Sequence, residues 1–317
     1  MVSEKNIDKS GSIPEFSVVI PIYNEEETIP ELYRRLTAVM ENLGTYEIIL
    51  VDDGSKDGSW KMIEELHEKD KRVKGISFSR NFGHHIAILA GIEQCKGHLT
   101  VLMDGDLQDQ PEEIPKLIEK AREGYDLVQG TSQKRHSNPL RNLFSKMFRE
   151  IFIKISTVDP KTRIGLFKCL KRPVIDAVMK LPERTIFFGG MLSYVGYSTA
   201  YVSVRRGKRY AGKTKYNFLK RFSLAMNAIT SFSERPLIYI FRLGILVFFF
   251  SIMMFLFAVI KKIFYNIPII GWTSLFAAIF FSTGLITLSL SIVGLYISRI
   301  FIETKQRPRY IIREVLD

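Results

Sequence analysis

Four times in its first 125 residues the chain passes from a short apolar, β-branched stretch into a polar one with helical spacing. "FSVVIPIYN" (16–24) reads as a buried strand ended by Pro and Asn. "EEETIPELYRRLTAVMENLG" (25–44) reads as a helix with acids in its first turn, apolar positions at Leu32, Leu36, Val39 and Leu43, and Gly44 as its stop. The pattern repeats as strand 46–55 with helix 58–70, strand 73–79 with helix 85–95, and strand 98–106 with helix 111–124. Strands and helices alternating at such short intervals predict an α/β domain, a mostly parallel sheet with helices on both faces. Ligands of such sheets bind beyond the carboxyl ends of the strands. Asn24, Asp52, Asp53, Ser79, Asp104 and Asp106 all fall at those ends.

The periodicity changes near the C-terminus. Residues 243–260 hold no charge over 18 positions, and 269–297 hold none over 29. Each is long enough for a hydrocarbon core that takes about 20 helical residues. Polar "KKIFYN" and Pro268 separate them, which predicts a two-helix transmembrane hairpin within 236–299 in preference to two buried core helices. Residues 138–157 place Leu140, Phe144, Met147, Phe148, Ile151 and Ile155 on one helical face with Arg and Lys elsewhere. Such a basic amphipathic helix either lies in the membrane interface or packs on the soluble domain, and 216–235 carries the same two alternatives. The remaining divisions are a polar tail over 1–15 without the apolar run of a signal peptide, a soluble domain over 16–215, and a basic tail over 300–317. Arg235 before the hairpin and Arg299, Lys305, Arg307, Arg309 and Arg313 after it predict that the soluble domain faces the cytoplasm from a multi-pass position in the cell (inner) membrane. Lys261 and Lys262 weaken that bias without reversing it.

Charge sharpens the picture. The chain has a formal net charge of +12, and residues 131–222 alone hold 21 Lys/Arg against 4 Asp/Glu, so the rest is net acidic. A basic block beside membrane segments points to anionic lipid headgroups or phosphorylated substrates. Nucleic acid is the weaker reading, because no nucleic-acid motif accompanies the charge. The two cysteines, Cys95 and Cys169, suit a reducing compartment with no disulfide framework.

Within the acidic part, "VLMDGDLQDQPEE" (101–113) ends the fourth strand. Asp104 and Asp106, two residues apart beside a flexible Gly105, can reach one divalent cation, and oxygen ligands of this kind suit Mg²⁺ or Mn²⁺. Gln108 can join that shell, whereas Asp109, Glu112 and Glu113 read as helix-start and surface residues. Asp52 and Asp53 in "VDDGSKDGS" offer either hydrogen bonds to a base and ribose or ordinary turn chemistry. Arg80 in "SRNFGHH" is a candidate phosphate or carboxylate partner of the donor just before a helix start. His84 and His85 are adjacent and lack ligand spacing, so a packing or helix-start role suits them better than a metal site.

Taken in order, "FSVVIPIYNEEETI", "EIILVDDGSKDGS", "FSRNFGHHIAILAGIEQCKGHLTVLMDGDLQDQPEEIP" and "SFSERPL" resemble the family 2 glycosyltransferases. More narrowly they look like the polyprenyl-phosphate sugar synthases, the bactoprenol glucosyltransferase and dolichol-phosphate mannose synthase group, over about residues 16–300. The resemblance implies that 16–215 is a GT-A catalytic domain and that the chain transfers a sugar, with inversion, from a UDP- or GDP-linked donor to polyprenyl phosphate. It implies Pro21, Tyr23 and Glu25 beside the nucleotide, Asp52 near the base and Asp53 near the ribose, with Arg209 and Lys215 in "RYAGKTKY" for the diphosphate. Asp104 and Asp106 would hold Mg²⁺ or Mn²⁺ with Gln108, and Asp159 would be an acid of the catalytic site. Arg141 and Ser145 match a pair that grips the lipid phosphate, and Arg135 stands in for an arginine that relatives carry soon after the position of Gly130. UDP-glucose to undecaprenyl phosphate is the favoured pairing, and self-association beside the membrane is compatible with the apolar helix faces. Two alternatives stand against this: a non-catalytic nucleotide-sugar-binding subunit, and a processive polysaccharide synthase, whose Gln/Arg-x-x-Arg-Trp motif has no counterpart around Trp60 or Trp272. A dehydrogenase is disfavoured because no G-x-G-x-x-G follows a strand.

Overall fold

A computed structural model describes residues 13–132, 165–184, 186–207, 235–265 and 271–317. They divide into two compact units: 235–265 and 271–306 form one, and the other described residues form the second, sheet-bearing one. The expected interfacial helix at 138–157 lies outside the described residues, as does nearly all of 216–235.

The sheet-bearing unit follows the predicted alternation. β1 (Phe16–Ile22), α1 (Ile29–Met40), β2 (Tyr46–Asp52), α2 (Ser59–Lys69), β3 (Val73–Phe78), α3 (His84–Gln94) and β4 (Leu99–Leu102) come first. A 3-10 turn over Pro111–Glu113, α4 (Ile114–Arg122), β5 (Leu127–Ser132), β6 (Lys168–Lys171), α5 (Arg172–Met179), α6 (Phe188–Val195) and β7 (Thr199–Val204) complete the series before the C-terminal helices. β1 and β2 are buried at every position because helices cover both faces, which is why their sequences read as continuous apolar runs. α1 turns Ile29, Leu32, Leu36 and Met40 into the core, so truncating Leu36 to Ala would cost about 2–5 kcal/mol.

The eight strands lie in the order β7-β5-β6-β4-β1-β2-β3-β8, where β8 is Ile312–Leu316. β1 pairs in parallel with β2 and with β4, and β2 with β3, whereas β6 runs antiparallel between β4 and β5. The chain thus builds outward from β1 to β3 and then returns to place β4 on the other side of β1. That reversal opens a crevice at the carboxyl ends of β1 and β4, the position where open α/β sheets take their ligands. Pro21 is tolerated in the central strand near this crevice: β4 ends at Leu102, opposite Val19, so Pro21 lies past the last paired residue on that side.

One expectation needs correction. Residues 300–317 are not simply a basic tail: the last five residues before Asp317 form β8, antiparallel to β3. Tyr310 stacks on Phe78 with centroids 5.0 Å apart, and its hydroxyl donates to Glu93. Ser79 donates its amide to the Ile311 carbonyl, and Lys74 pairs with Asp317 at 2.6 Å. Burial and the Glu93 carboxylate both push the Tyr310 phenol above its ordinary range.

In the other unit, α7 (Arg235–Tyr265) and α8 (Trp272–Thr304) are consecutive helices. Among the described residues one segment, Ala278–Thr304, is long and apolar enough to cross a membrane, and Leu237–Met253 is a shorter apolar stretch. The predicted second membrane crossing is therefore not established by length and composition. Phe248, Phe249, Phe280 and Phe281 are all more than half exposed, an apolar surface that water would not favour.

Candidate active site

The strand-end loops at the crevice are tied to one another. Asn24, left-handed at φ 52°, donates its amide to Ser55 Oγ, and its side-chain oxygen accepts from the Lys56 amide. Glu25 donates its amide to Ser59 Oγ and accepts from the Thr28 hydroxyl, while Glu26 accepts from the Gly58 amide. Tyr23 and Glu25 are half-buried and Pro21 is buried. Gly54 sits at φ 66°, and a Cβ there would lie 2.4 Å from the backbone carbon of Arg80, so the β2 and β3 loops touch through its missing side chain.

Asp52, the last residue of β2, and Asp53 just after it are buried at this strand end. Asp52 has no solvent exposure, and its carboxylate accepts from the Ser55 amide at 3.0 Å and from the Ser77 hydroxyl at 3.2 Å. Asp53 is also buried, and its carboxylate accepts the Phe82 amide at 2.7 Å and the Gly83 amide at 3.0 Å, bracing the entry to α3. Burial lifts the Asp53 carboxyl above its usual range even against those amides. Both residues support the loops from beneath, because carboxylates beside unsatisfied loop amides are captured by them. Arg80 is exposed, with its guanidinium 4.1 Å over the Phe82 ring.

Asp104 and Asp106 stand across the crevice, just past β4. Asp104 is part-exposed and Asp106 is buried, with one oxygen accepting the Gln108 amide at 3.0 Å. Gly105 is not a flexible joint: it is buried, its φ is not positive, and a Cβ would come 2.9 Å from Ile22. Its role is close packing of this loop on the end of β1. His84, expected in a packing or helix-start role, is the first residue of α3; it also has Nε2 3.4 Å from Asp104 Oδ1, and burial pulls its imidazole below the ordinary range. The adjacent His85 is held neutral by burial more strongly, down to about 4.

The rest of the acidic stretch needs a second correction. Glu112 and Glu113 do open the helical segment, but Asp109 and Glu113 are buried and only Glu112 is at the surface, paired with Arg35. The cause is the chain after β7, which runs alongside: Gly207 donates its amide to the Gln108 carbonyl at 2.9 Å. Arg205 thereby meets Glu113 at 2.7 Å, and Arg206 lies 3.5 Å from Asp109 and 4.0 Å from Asp104. Burial, reinforced by Asp104, still raises the Asp109 carboxyl to about 6. Lys168, on β6 opposite Leu102, is buried as well; desolvation lowers its ammonium to about 8 although Asp109 and Asp104 pull the other way. The only signal in the sequence for Arg205 and Arg206 is a charged pair ending an apolar strand; that for Lys168 is the Gly-Leu-Phe-Lys run at 165–168, which loosely matches a Gly-x-Phe-Lys segment of the family.

Of the other expected site residues, Arg135, Arg141, Ser145, Asp159, Arg209 and Lys215 lie outside the described residues. What remains is two carboxylates and an amide side chain at one strand end, and no group of three His, Cys, Asp or Glu among the described residues is arranged to hold an ion. That donor set fits Mg²⁺ or Mn²⁺, which accept few protein oxygens and share the rest of their shell with substrate phosphates and water.

The glycosyl transferase family 2 profile matches residues 17–187. An uncharacterized glycosyltransferase of Synechocystis is 37% identical over 303 residues, covering 95% of each chain. The bactoprenol glucosyl transferase of Shigella phage SfX is 37% identical over 300 residues, covering 94% of this chain and 98% of that relative. Among solved structures, mannosyl-3-phosphoglycerate synthase of Rubrobacter xylanophilus shares the fold at a TM-score of 0.52, with 16% identity over 69% of this chain and 73% of that one. With the carboxylates after β4 at the crevice of a mostly parallel sheet, and relatives matched along nearly the whole length, the chain belongs to glycosyltransferase family 2.

Proposed function

We propose that the protein transfers glucose from UDP-glucose to a polyprenyl phosphate, with inversion, at the cytoplasmic face of the membrane. The observation that carries this is the Asp104–Asp106 pair at the β1/β4 crevice, facing loops that can frame a nucleotide. The lipid-linked acceptor and the glucose rest on the relatives named bactoprenol glucosyl transferase. In this reading Pro21, Tyr23, Glu25 and Arg80 border the donor, and Asp52 and Asp53 hold its floor. Asp104, Asp106 and Gln108 hold Mg²⁺ or Mn²⁺, which when bound neutralises charge on the departing diphosphate.

The acceptor explains the lack of an obvious base. A phosphate monoester has a second pKa near 6, roughly, so at neutral pH its oxygen is already nucleophilic. The chain then needs cations to seat the two phosphate groups. Arg141, Ser145 and Arg135 serve the lipid phosphate, Arg209 and Lys215 the diphosphate, and Asp159 borders the reacting centre. Holding both reactants in line, with charge complementarity, supplies most of the rate. A membrane position is supported by connectivity: β7 before the apolar helices and β8 after them belong to one sheet. A segment that leaves and re-enters one folded body crosses a membrane an even number of times, which favours two crossings over one.

The test is transfer of radiolabelled glucose from UDP-glucose to undecaprenyl phosphate in Mn²⁺ or Mg²⁺. Asp106→Ala is expected to lower kcat at least about a hundredfold, as loss of a preorganised electrostatic group does. Full activity of that variant, or in excess chelator, would overturn the assignment.

A further inference from the structure

We infer that Arg313, on the C-terminal strand, is a positioning residue for donor binding, acting through Ser77 and Asp52. The inference rests on the donor site proposed above. Its structural basis is a bulge. β3 and β8 pair Ser77 with Glu314 and then Phe78 with Ile312, so Arg313 is the extra residue between two successive pairs. An extra residue of this kind re-aims its side chain out of the regular alternation. Here it brings Arg313 Nη2 2.8 Å from Ser77 Oγ, although Arg313, like every residue of β8 but Leu316, keeps an exposed surface.

A serine hydroxyl has one hydrogen to give and two lone pairs to receive. Arg313, which can only donate, occupies a lone pair, and the hydroxyl hydrogen goes to Asp52 Oδ2 at 3.2 Å. The other Asp52 oxygen accepts the Ser55 amide, Ser55 Oγ accepts the Asn24 amide, and Asn24 accepts the Lys56 amide. A single hydrogen-bonded series thus runs from the last strand of the chain to the loops after β1 and β2, which border the donor. Ser77 and Asp52 have no solvent exposure, so water cannot replace a lost partner there without opening the packing. The two loops are also joined by Glu25 to Ser59 and by Glu26 to Asp57 and Gly58, so what the series adds is the setting of Asp52, Ser55 and Asn24, whose left-handed backbone must be maintained by its neighbours. Completion of the donor site therefore waits on the residues that follow the apolar helices.

The test uses the full chain in detergent, with UDP binding measured by calorimetry in Mn²⁺ and glucose transfer measured alongside. Arg313→Ala is expected to weaken UDP binding and raise KM for UDP-glucose about tenfold, the loss of one charge-assisted hydrogen bond, while KM for the lipid is unchanged. Arg313→Lys, which keeps a donor, should recover part of the loss. Ser77→Ala should match Arg313→Ala, and the double variant should be no worse than either, since all three break one series. Glu314→Ala removes the bond from Trp60 Nε1 on the same strand and should leave UDP affinity intact, separating the relay from simple docking of β8. Additive losses in the double variant, or an equal loss in Glu314→Ala, would overturn the relay. If Arg313→Ala fails to fold, Ser77→Ala against Glu314→Ala decides the matter alone. Tyr23→Ala guards the premise: if it leaves UDP affinity unchanged the donor site is misplaced, whereas weakened binding there with none in Arg313→Ala or Ser77→Ala rejects only the relay.

Discussion

Lys168 sits where burial disfavours its charge. Its ammonium is buried on β6, and its folded pKa of about 8 lies below the ordinary 10.5. Below pH 8 it is charged in both folded and unfolded chains, and the fold bears the full desolvation cost. Between 8 and 10.5 the unfolded chain binds more protons, so stability rises with pH, and above 10.5 the cost is gone. Lys168→Met should therefore raise stability at pH 7 by up to about 3 kcal/mol, a gain that disappears as the pH passes 10.5. Melting temperatures in detergent across that range check it; a gain independent of pH would contradict the buried-cation account. A buried cation kept at such cost beside Asp104 and Asp109 is what a site that handles phosphates would retain. At the lipid end, Arg141→Ala is expected to raise KM for polyprenyl phosphate about tenfold or more with little change for UDP-glucose, since a charge-assisted bond to phosphate is lost. The reverse split in steady-state kinetics would remove Arg141 from the lipid site.

At the scale of elements, the functional crevice is made of strand ends, and its precision depends on how loops pass each other. Gly54, at φ 66°, and Gly105, against Ile22, are two strand-end glycines at which an added Cβ would come within 3.0 Å of a neighbour. Gly54→Ala would combine a left-handed backbone with a 2.4 Å clash against backbone atoms, so a loss of at least about 2 kcal/mol is expected. A thermal melt checks this, and because β2 and β3 loops part there, UDP affinity should fall with it. The four leading strand–helix pairs were legible from hydrophobic periodicity, and so was the placement of Asn24, Asp104 and Asp106 at strand ends. The bulge at Arg313 was not legible: nothing in "YIIREVL" distinguishes a strand from a tail, because β8 exists only through its pairing with β3. The fate of Asp109 and Glu113 was likewise invisible, since the arginines that cover them are more than 90 residues away in the chain.

For the whole molecule, the return of the chain into one sheet on both sides of α7 and α8 constrains its topology. If both helices cross, the connection between them is expected to be reached only from the side of the membrane opposite the catalytic domain. A cysteine introduced at Asn266 in a Cys-free background should be labelled by an impermeant maleimide from outside intact cells, and one at Lys56 only after permeabilisation. Labelling of both from one side would leave α7 and α8 as surface helices. The sequence by itself determined the alternating α/β order, the acids at the carboxyl ends of strands and the apolar C-terminal segments, because these follow from periodicity and local chemistry within a few residues. Only the tertiary structure decided which carboxylates face the crevice and which are consumed by backbone amides, that His84 and Arg206 flank Asp104, and that the final strand completes the sheet. Each of those outcomes depends on partners far apart in the chain, and burial and hydrogen-bond satisfaction are properties of the assembled neighbourhood that no local pattern records.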